Sequence, residues 1–192
     1  MMKHLVNKKT TLLFLSSTFL VSALFYACKK KDKEDEMEDH VHKTANAKID
    51  NVYNDTLVSG TASFSQMNDG NVTLTLDITV PSRAKKSVAV HLHMMGDCGG
   101  NAGNAMGHWN PTNSQHGEFG SSAFHLGDIG NIKLDDKGHV TYIITTDAWN
   151  INGTDAARNV VGKSIIIHSG VDDYTSQPSG NSGNRIGCGT IQ

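Results

Sequence analysis

The stretch Val72-Thr73-Leu74-Thr75-Leu76-Asp77-Ile78-Thr79-Val80 sets an apolar side chain at every even position and a polar one at every odd position. Successive side chains of an extended strand point to opposite faces, so this run is a strand with one buried face. Outward from it, weaker forms of the alternation predict strands over 45–52, 57–66, 88–93, 129–134, 139–146, 164–168 and 185–191. Asn68-Asp69-Gly70-Asn71 predicts a hairpin between 57–66 and 72–80, and Asp135-Asp136-Lys137-Gly138 predicts another between 129–134 and 139–146. The expected fold class is all-β, an eight-stranded antiparallel sandwich or flattened barrel. Residues 94–127 and 169–184 are rich in Gly, Asn and Ser and lack an apolar period, which makes them two long loops of the functional or disordered kind. Residues 154–161 suit a helical turn or two.

Composition agrees with this. The 192 residues are 38% hydrophobic and 6% aromatic, with 19 Gly and 3 Pro, enough for one sizeable core joined by many turns. Lys and Arg number 17 against 19 Asp and Glu, so no cationic excess points to nucleic acid.

The N-terminus reads as a targeting segment over 1–27. Lys3, Lys8 and Lys9 precede the uncharged run TLLFLSSTFLVSALFYA at 11–27, the basic and apolar regions of a signal peptide. Phe25-Tyr26-Ala27-Cys28 resembles a bacterial lipobox, in which Cys28 is lipidated and becomes the mature N-terminus. An uncleaved membrane helix and ordinary secretion are the alternatives. Residues 28–44 are strongly charged and predict a flexible tether to the folded domain of 45–192. His40 and His42 lie in it as solvated linker residues, with weak metal capture as the alternative. The expected location is the bacterial cell envelope, anchored to a membrane and facing the periplasm or the cell surface. In an exported domain, Cys98 and Cys188 read most economically as one intramolecular disulfide. Closing a loop of about 90 residues stabilises by roughly 4 to 5 kcal/mol on the chain-entropy model.

Six histidines, His91, His93, His108, His116, His125 and His168, lie in or beside the two long loops. His91 and His93 are two apart on a strand and project from one face, within reach of one metal ion. His108, His116 and His125, with Asp128 three residues beyond, supply three imidazoles and a carboxylate, a donor set suited to four-coordinate zinc. His139 stands apart among polar neighbours as a surface residue.

These motifs carry a resemblance. HLH at 91–93, GHWNP at 107–111, HG at 116–117, HLGDIGN at 125–131, IIIH at 165–168 before Asp172 and Asp173, and GNSGNRIGCGTI at 180–191 resemble copper/zinc superoxide dismutase, over about 45–192. The resemblance implies an immunoglobulin-like, Greek-key sandwich. It implies copper held by His91, His93, His108 and His168, and zinc held by His108, His116, His125 and Asp128, with His108 shared. Asp172 takes the place of the carboxylate that bonds a copper histidine and a zinc histidine together. Arg185 takes that of the arginine that attracts the superoxide anion, and Cys98 with Cys188 that of the loop-anchoring disulfide. Asp173 is expected to be a solvated loop acid and Trp109 a packing residue.

The implied activity is conversion of superoxide to dioxygen and hydrogen peroxide by Cu(II)/Cu(I) cycling. The rival class is a non-enzymatic copper- and zinc-binding lipoprotein of the same fold, although such relatives lose ligands or the arginine and this chain keeps them. Bacterial and eukaryotic relatives pair through different surfaces, so the sequence leaves the oligomeric state open, a homodimer being one outcome. Three departures stand out: Ala89 replaces a usual Gly, the 173–184 loop has no Lys, and the five-residue step from His93 to Cys98 is short, as in bacterial members.

Overall fold

The computed structural model describes residues 43–192; the leader, Cys28, His40, His42 and the tether up to residue 42 lie outside the described residues. All eight predicted strands form. They are β1 (Lys43–Asn51), β2 (Ser59–Gln66), β3 (Val72–Thr79), β4 (Ser87–His93), β5 (Gly130–Lys133), β6 (His139–Thr146), β7 (Ser164–His168) and β8 (Arg185–Thr190). Strand β1 begins two residues before the predicted domain boundary, because Lys43 and Thr44 pair with Gln66 and Ser65. The sheet order is β5-β4-β7-β8-β1-β2-β3-β6, with every ladder antiparallel, and it curls into a nearly closed barrel.

Pattern and burial coincide on β3. Val72, Leu74, Leu76 and Ile78 are fully buried, while the Thr and Asp residues between them are partly exposed. They share one core with Ile49, Phe64, Leu92, Ile165 and Ile167, and Trp149 packs edge-on to Phe64. Each such side chain contributes about 1.5–3 kcal/mol by leaving water.

Strand β7 is buried on both faces. Ile165 and Ile167 enter this main core, whereas Ile166 packs outward under Ala102, Ala105 and Cys188. The long loop after β4 is therefore laid over the outside of the sheet. The Cys98–Cys188 disulfide fixes it there, with its Cα atoms 5.8 Å apart.

The Asn68–Asn71 hairpin is present, closed by Met67 N donating to Asn71 O at 3.1 Å and Gly70 N to Met67 O at 3.0 Å. The hairpin expected at 135–138 is not. Strand β6 ladders with β3 from Val72↔Thr146 to Thr79↔His139, and β5 ladders with β4, so the two flanking strands sit at opposite edges of the sheet. An eight-residue alternating face on β3 offers β6 more buried pairing than the four residues of β5 could. Residues 135–138 instead form a corner tied to the segment after β3: Val80 N donates to Gly138 O and Lys85 N to Asp135 O, both at 2.7 Å. Gly138 has φ +80, and a Cβ there would collide with Val80 O.

The predicted turn near 154–161 is a single 3₁₀ turn over Ala156–Arg158, capped by Asp155. Residues 94–129 and 169–184 are long connections, as expected. Among the described residues no helix is long and apolar enough to cross a membrane.

Candidate metal centre

Two strands and one long loop bring the histidines together. His91 and His93 project from β4, and an isolated antiparallel bridge between His93 and His108 returns the long loop to that strand. A register shift between Ile167 and His168 turns His168 toward the same point at the end of β7. The donor atoms fall into two sets, His91–His93–His108–His168 and His108–His116–His125–Asp128. Within each set they all lie within 4.8 Å of one another, and every residue is buried. His108 belongs to both.

Each of five imidazoles spends one nitrogen on an acceptor that fixes its tautomer. His93 Nδ1 donates to Met106 O at 2.8 Å, His168 Nδ1 to Gly183 O at 3.2 Å and His125 Nε2 to Ser114 O at 3.2 Å. His91 Nε2 and His116 Nε2 both donate to Asp172, one to each carboxylate oxygen, at 2.8 Å. What remains is a convergent set of buried atoms without hydrogen-bond partners: His91 Nδ1, His93 Nε2, His108 Nε2 and His168 Nε2 in one set, His116 Nδ1 and His125 Nδ1 in the other. A buried polar atom left unpaired costs about 1–3 kcal/mol, so six facing inward describe metal donors rather than a finished core. Asp128 Oδ1 lies 2.8 Å from His108 Nδ1, and Asp128 Oδ2 lies 3.0 Å from His116 Nδ1 without hydrogen-bond alignment, as donors crowding one ion would. The residues thus fit two metal ions that share the His108 ring.

The electrostatics favour neutral imidazole. Burial, reinforced by the neighbouring rings, pushes His93 down to about 2 and His168 to about 3. Burial likewise takes His108 to about 4, against the opposing pull of Asp128. For Asp128, burial acts to raise the carboxyl, but hydrogen bonds from His108 and His125 outweigh it and hold it well below the carboxylate range. Deprotonated donors are the forms metals bind.

Arg185 opens β8, beside the first set. Its guanidinium donates to Ala102 O and, at 2.6 Å, to Met106 O, the same carbonyl that receives His93. A cavity of about 530 Å³ carries His93, His108, His168, Met94, Pro178 and Arg185 on its wall, so the arginine and three histidines of the first set border one space.

Several supports were not legible in the sequence. Gln177 clasps His116, accepting its backbone N–H at 2.8 Å and donating to its carbonyl at 3.0 Å. Asn131 pairs with the Asp172 backbone in both directions at 2.8 Å. The Tyr174 hydroxyl accepts Asn131 N–H at 3.0 Å, while Tyr174 N donates to Asp172 Oδ1 at 2.7 Å. Gly180, at φ +64, lies so close that a Cβ would collide with Asp172 and His116. Asn131 carried a signal as the end of HLGDIGN; Gln177 and Tyr174 carried none.

Asp173 differs from its expectation as a merely solvated acid. Though exposed, it organises the loop by accepting from Thr175, Ser176 and Asn181, and those bonds hold its carboxyl well below the usual range. Trp109 is a buried packing residue, as expected, and His139 lies partly exposed 3.3 Å from Asp77. Ala89 is accommodated, its N–H donating to Gly170 O at 2.8 Å.

The family model for copper/zinc superoxide dismutase (SODC) matches residues 58–191. A superoxide dismutase [Cu-Zn] of Botryotinia fuckeliana is 32% identical over 147 residues, covering 73% of this chain and 93% of that protein. Superoxide dismutase [Cu-Zn] 1 of Aquifex aeolicus is 33% identical over 138 residues, covering 69% and 79%. Among solved structures, a double mutant of a SOD-like protein from Bacillus subtilis superposes with TM-score 0.66 at 28% identity, covering 75% of this chain and 94% of that one. With a match of this extent and both donor sets intact, the chain belongs to the copper/zinc superoxide dismutase family.

Proposed function

We propose that this protein dismutates superoxide, turning two superoxide anions and two protons into dioxygen and hydrogen peroxide. The observation that carries the reading is His108, whose two nitrogens face two separate donor sets while Arg185 shares a cavity with one of them. His91, His93, His108 and His168 are the copper donors; His108, His116, His125 and Asp128 are the zinc donors. Copper supplies one-electron cycling between Cu(II) and Cu(I), which imidazole tolerates in both states, and zinc supplies a redox-inert positive charge.

The protein residues do the rest. Arg185 attracts the anion electrostatically, and the two carbonyls that hold its guanidinium aim it into the cavity. His108 Nε2, buried and otherwise unpartnered, takes a proton in one half of the cycle and yields it to the nascent peroxide in the other. Asp172 keeps His91 and His116 in the tautomers that leave their Nδ1 atoms free.

Cys28 is the proposed lipid-bearing residue, which would hold residues 45–192 on a bacterial envelope membrane through the 28–44 tether. The FYAC sequence after an uncharged run supports this. A homodimer is one of the assemblies open to the chain.

Metal analysis of the full chain alongside a superoxide-decay assay tests the assignment. His108→Ala should lower both copper and zinc content, whereas His116→Ala should lower zinc first. Loss of copper alone in His108→Ala would remove the shared-ring assignment.

A further inference from the structure

Beyond residue 42, the sequence has methionines only at 67, 94, 95 and 106. Three of these adjoin the copper-facing histidines in sequence, as His93-Met94-Met95 and Met106-Gly107-His108. The structure folds the two segments together. His93 and His108 form an antiparallel bridge, Met94 N donates to Gly107 O at 3.0 Å, and Met95 N donates to Ala105 O at 3.1 Å. These bonds bring the backbone of Met94 and Met95 against the 105–107 segment, and Met106, at φ +65, ends the regular pairing beside them.

These thioether side chains are unusually open to solvent, at 46% for Met94, 50% for Met95 and 56% for Met106. Met94 also lines the cavity bordered by His93, His108 and His168, and it shares with Met95 an outer groove of about 270 Å³. Met94 therefore stands between an outer groove with a second thioether and an inner chamber bordered by imidazoles.

We propose that Met94, Met95 and Met106 form a capture site for a soft monovalent cation of the Cu(I) class, from which copper passes inward to the imidazoles. The proposal rests on the assignment of those histidines as copper donors. Thioethers are neutral, soft ligands that select Cu(I) over zinc and other harder divalent ions. Lys163 borders the outer groove and Arg185 the inner cavity; both are cationic, so the capture is weak and reversible. The transfer is ligand exchange without change of oxidation state: thioether bonds to Cu(I) break as bonds to imidazole nitrogen form, and no proton or electron moves. The adjacency of Met94 to His93 lets the exchange proceed through neighbouring donors.

Silver(I), a redox-inert ion of the same softness, is the probe. It is titrated in chloride-free buffer into the full chain already loaded with copper and zinc, so the imidazole donors are taken. Methionine methyl resonances and equilibrium dialysis report binding. The expected result is saturable uptake with shifts at Met94, Met95 and Met106 and none at Met67, which is 38% exposed and serves as the internal control. Affinity should fall at least about tenfold when all three are changed to leucine, a shape-preserving replacement. In zinc-loaded, copper-free protein the same variant should take up Cu(I) more slowly while reaching the same final copper content.

Absence of saturable silver binding, equal shifts at Met67, or undiminished binding by the leucine variant would each overturn the capture site. The imidazole assignment would survive all three, because it is read separately from the metal content of the His108 and His116 variants.

Discussion

The Asp172 carboxylate accepts the Nε2 proton of His91 at 2.8 Å, with neither side chain exposed to solvent. Its other oxygen does the same for His116, so one acid orients a copper donor and a zinc donor together. Asp172→Asn keeps the size but offers one acceptor where two are needed and turns an amide donor toward an imidazole N–H. Zinc affinity should fall on the order of 10- to 100-fold, with copper affinity falling too, in competition against a chelator. Unchanged affinities would show that Asp172 does not couple the sites.

Tyr174 closes a ring of bonds behind that acid. Its hydroxyl accepts the Asn131 N–H on β5, and Asn131 in turn fixes the Asp172 backbone. Tyr174→Phe leaves the Asn131 N–H without its partner and should cost about 1 kcal/mol, seen as a Tm lower by about 2–4 °C in the metal-free chain. An unaltered Tm would mean that the hydroxyl is dispensable.

The metal-free chain should lose stability in acid. His93, His108 and His168 are pushed below their usual 6.5, to about 2, about 4 and about 3, by burial first and by neighbouring rings second. The unfolded chain therefore binds these protons more readily than the folded one. Their contribution is fully present above about pH 6.5 and is lost as pH falls through 6.5 toward 4 and below. The urea midpoint of metal-free protein should be clearly lower at pH 5 than at pH 8. Equal midpoints would contradict the neutral, buried state assigned to these rings.

Residues 49–192 hold 8 Lys and Arg against 13 Asp and Glu, a net charge of −5 before metals, so attraction of an anion must be local. Arg185→Glu should reduce kcat/KM at least about tenfold, on the order of 1.4 kcal/mol, with both metals retained. Arg185→Lys should lose less, because it keeps the charge but not the planar fork that reaches Ala102 O and Met106 O together. Salt should slow the wild type and affect the Glu variant less or in the opposite sense. Identical rates and salt responses would remove Arg185 as the anion guide.

The strands were legible because burial on one face imposes a period of two, as Val72 to Val80 demonstrates. The metal donors were legible because imidazoles and Asp128 in those motifs have a chemistry that few other roles need. What stayed hidden depends on long-range packing. The 135–138 turn has the composition of a hairpin, yet its flanking strands take other partners, a choice set by the length of β3 rather than by the turn. Gln177 and Tyr174 act through contacts with residues 61 and 43 positions away, and nothing near them in sequence announces those partners. Asp173 looked solvated because it is exposed; its work is to gather the loop backbone around itself.

The most direct measurement is copper titration of the zinc-loaded full chain with superoxide decay followed at each step. Dismutation should rise in proportion to bound copper, level off at about one copper per chain, and disappear when copper is withdrawn, as the four-imidazole set around His93 and His168 requires. A chain that takes up one copper and one zinc yet leaves superoxide to decay at its spontaneous rate would contradict the account and identify a metal-buffering protein instead.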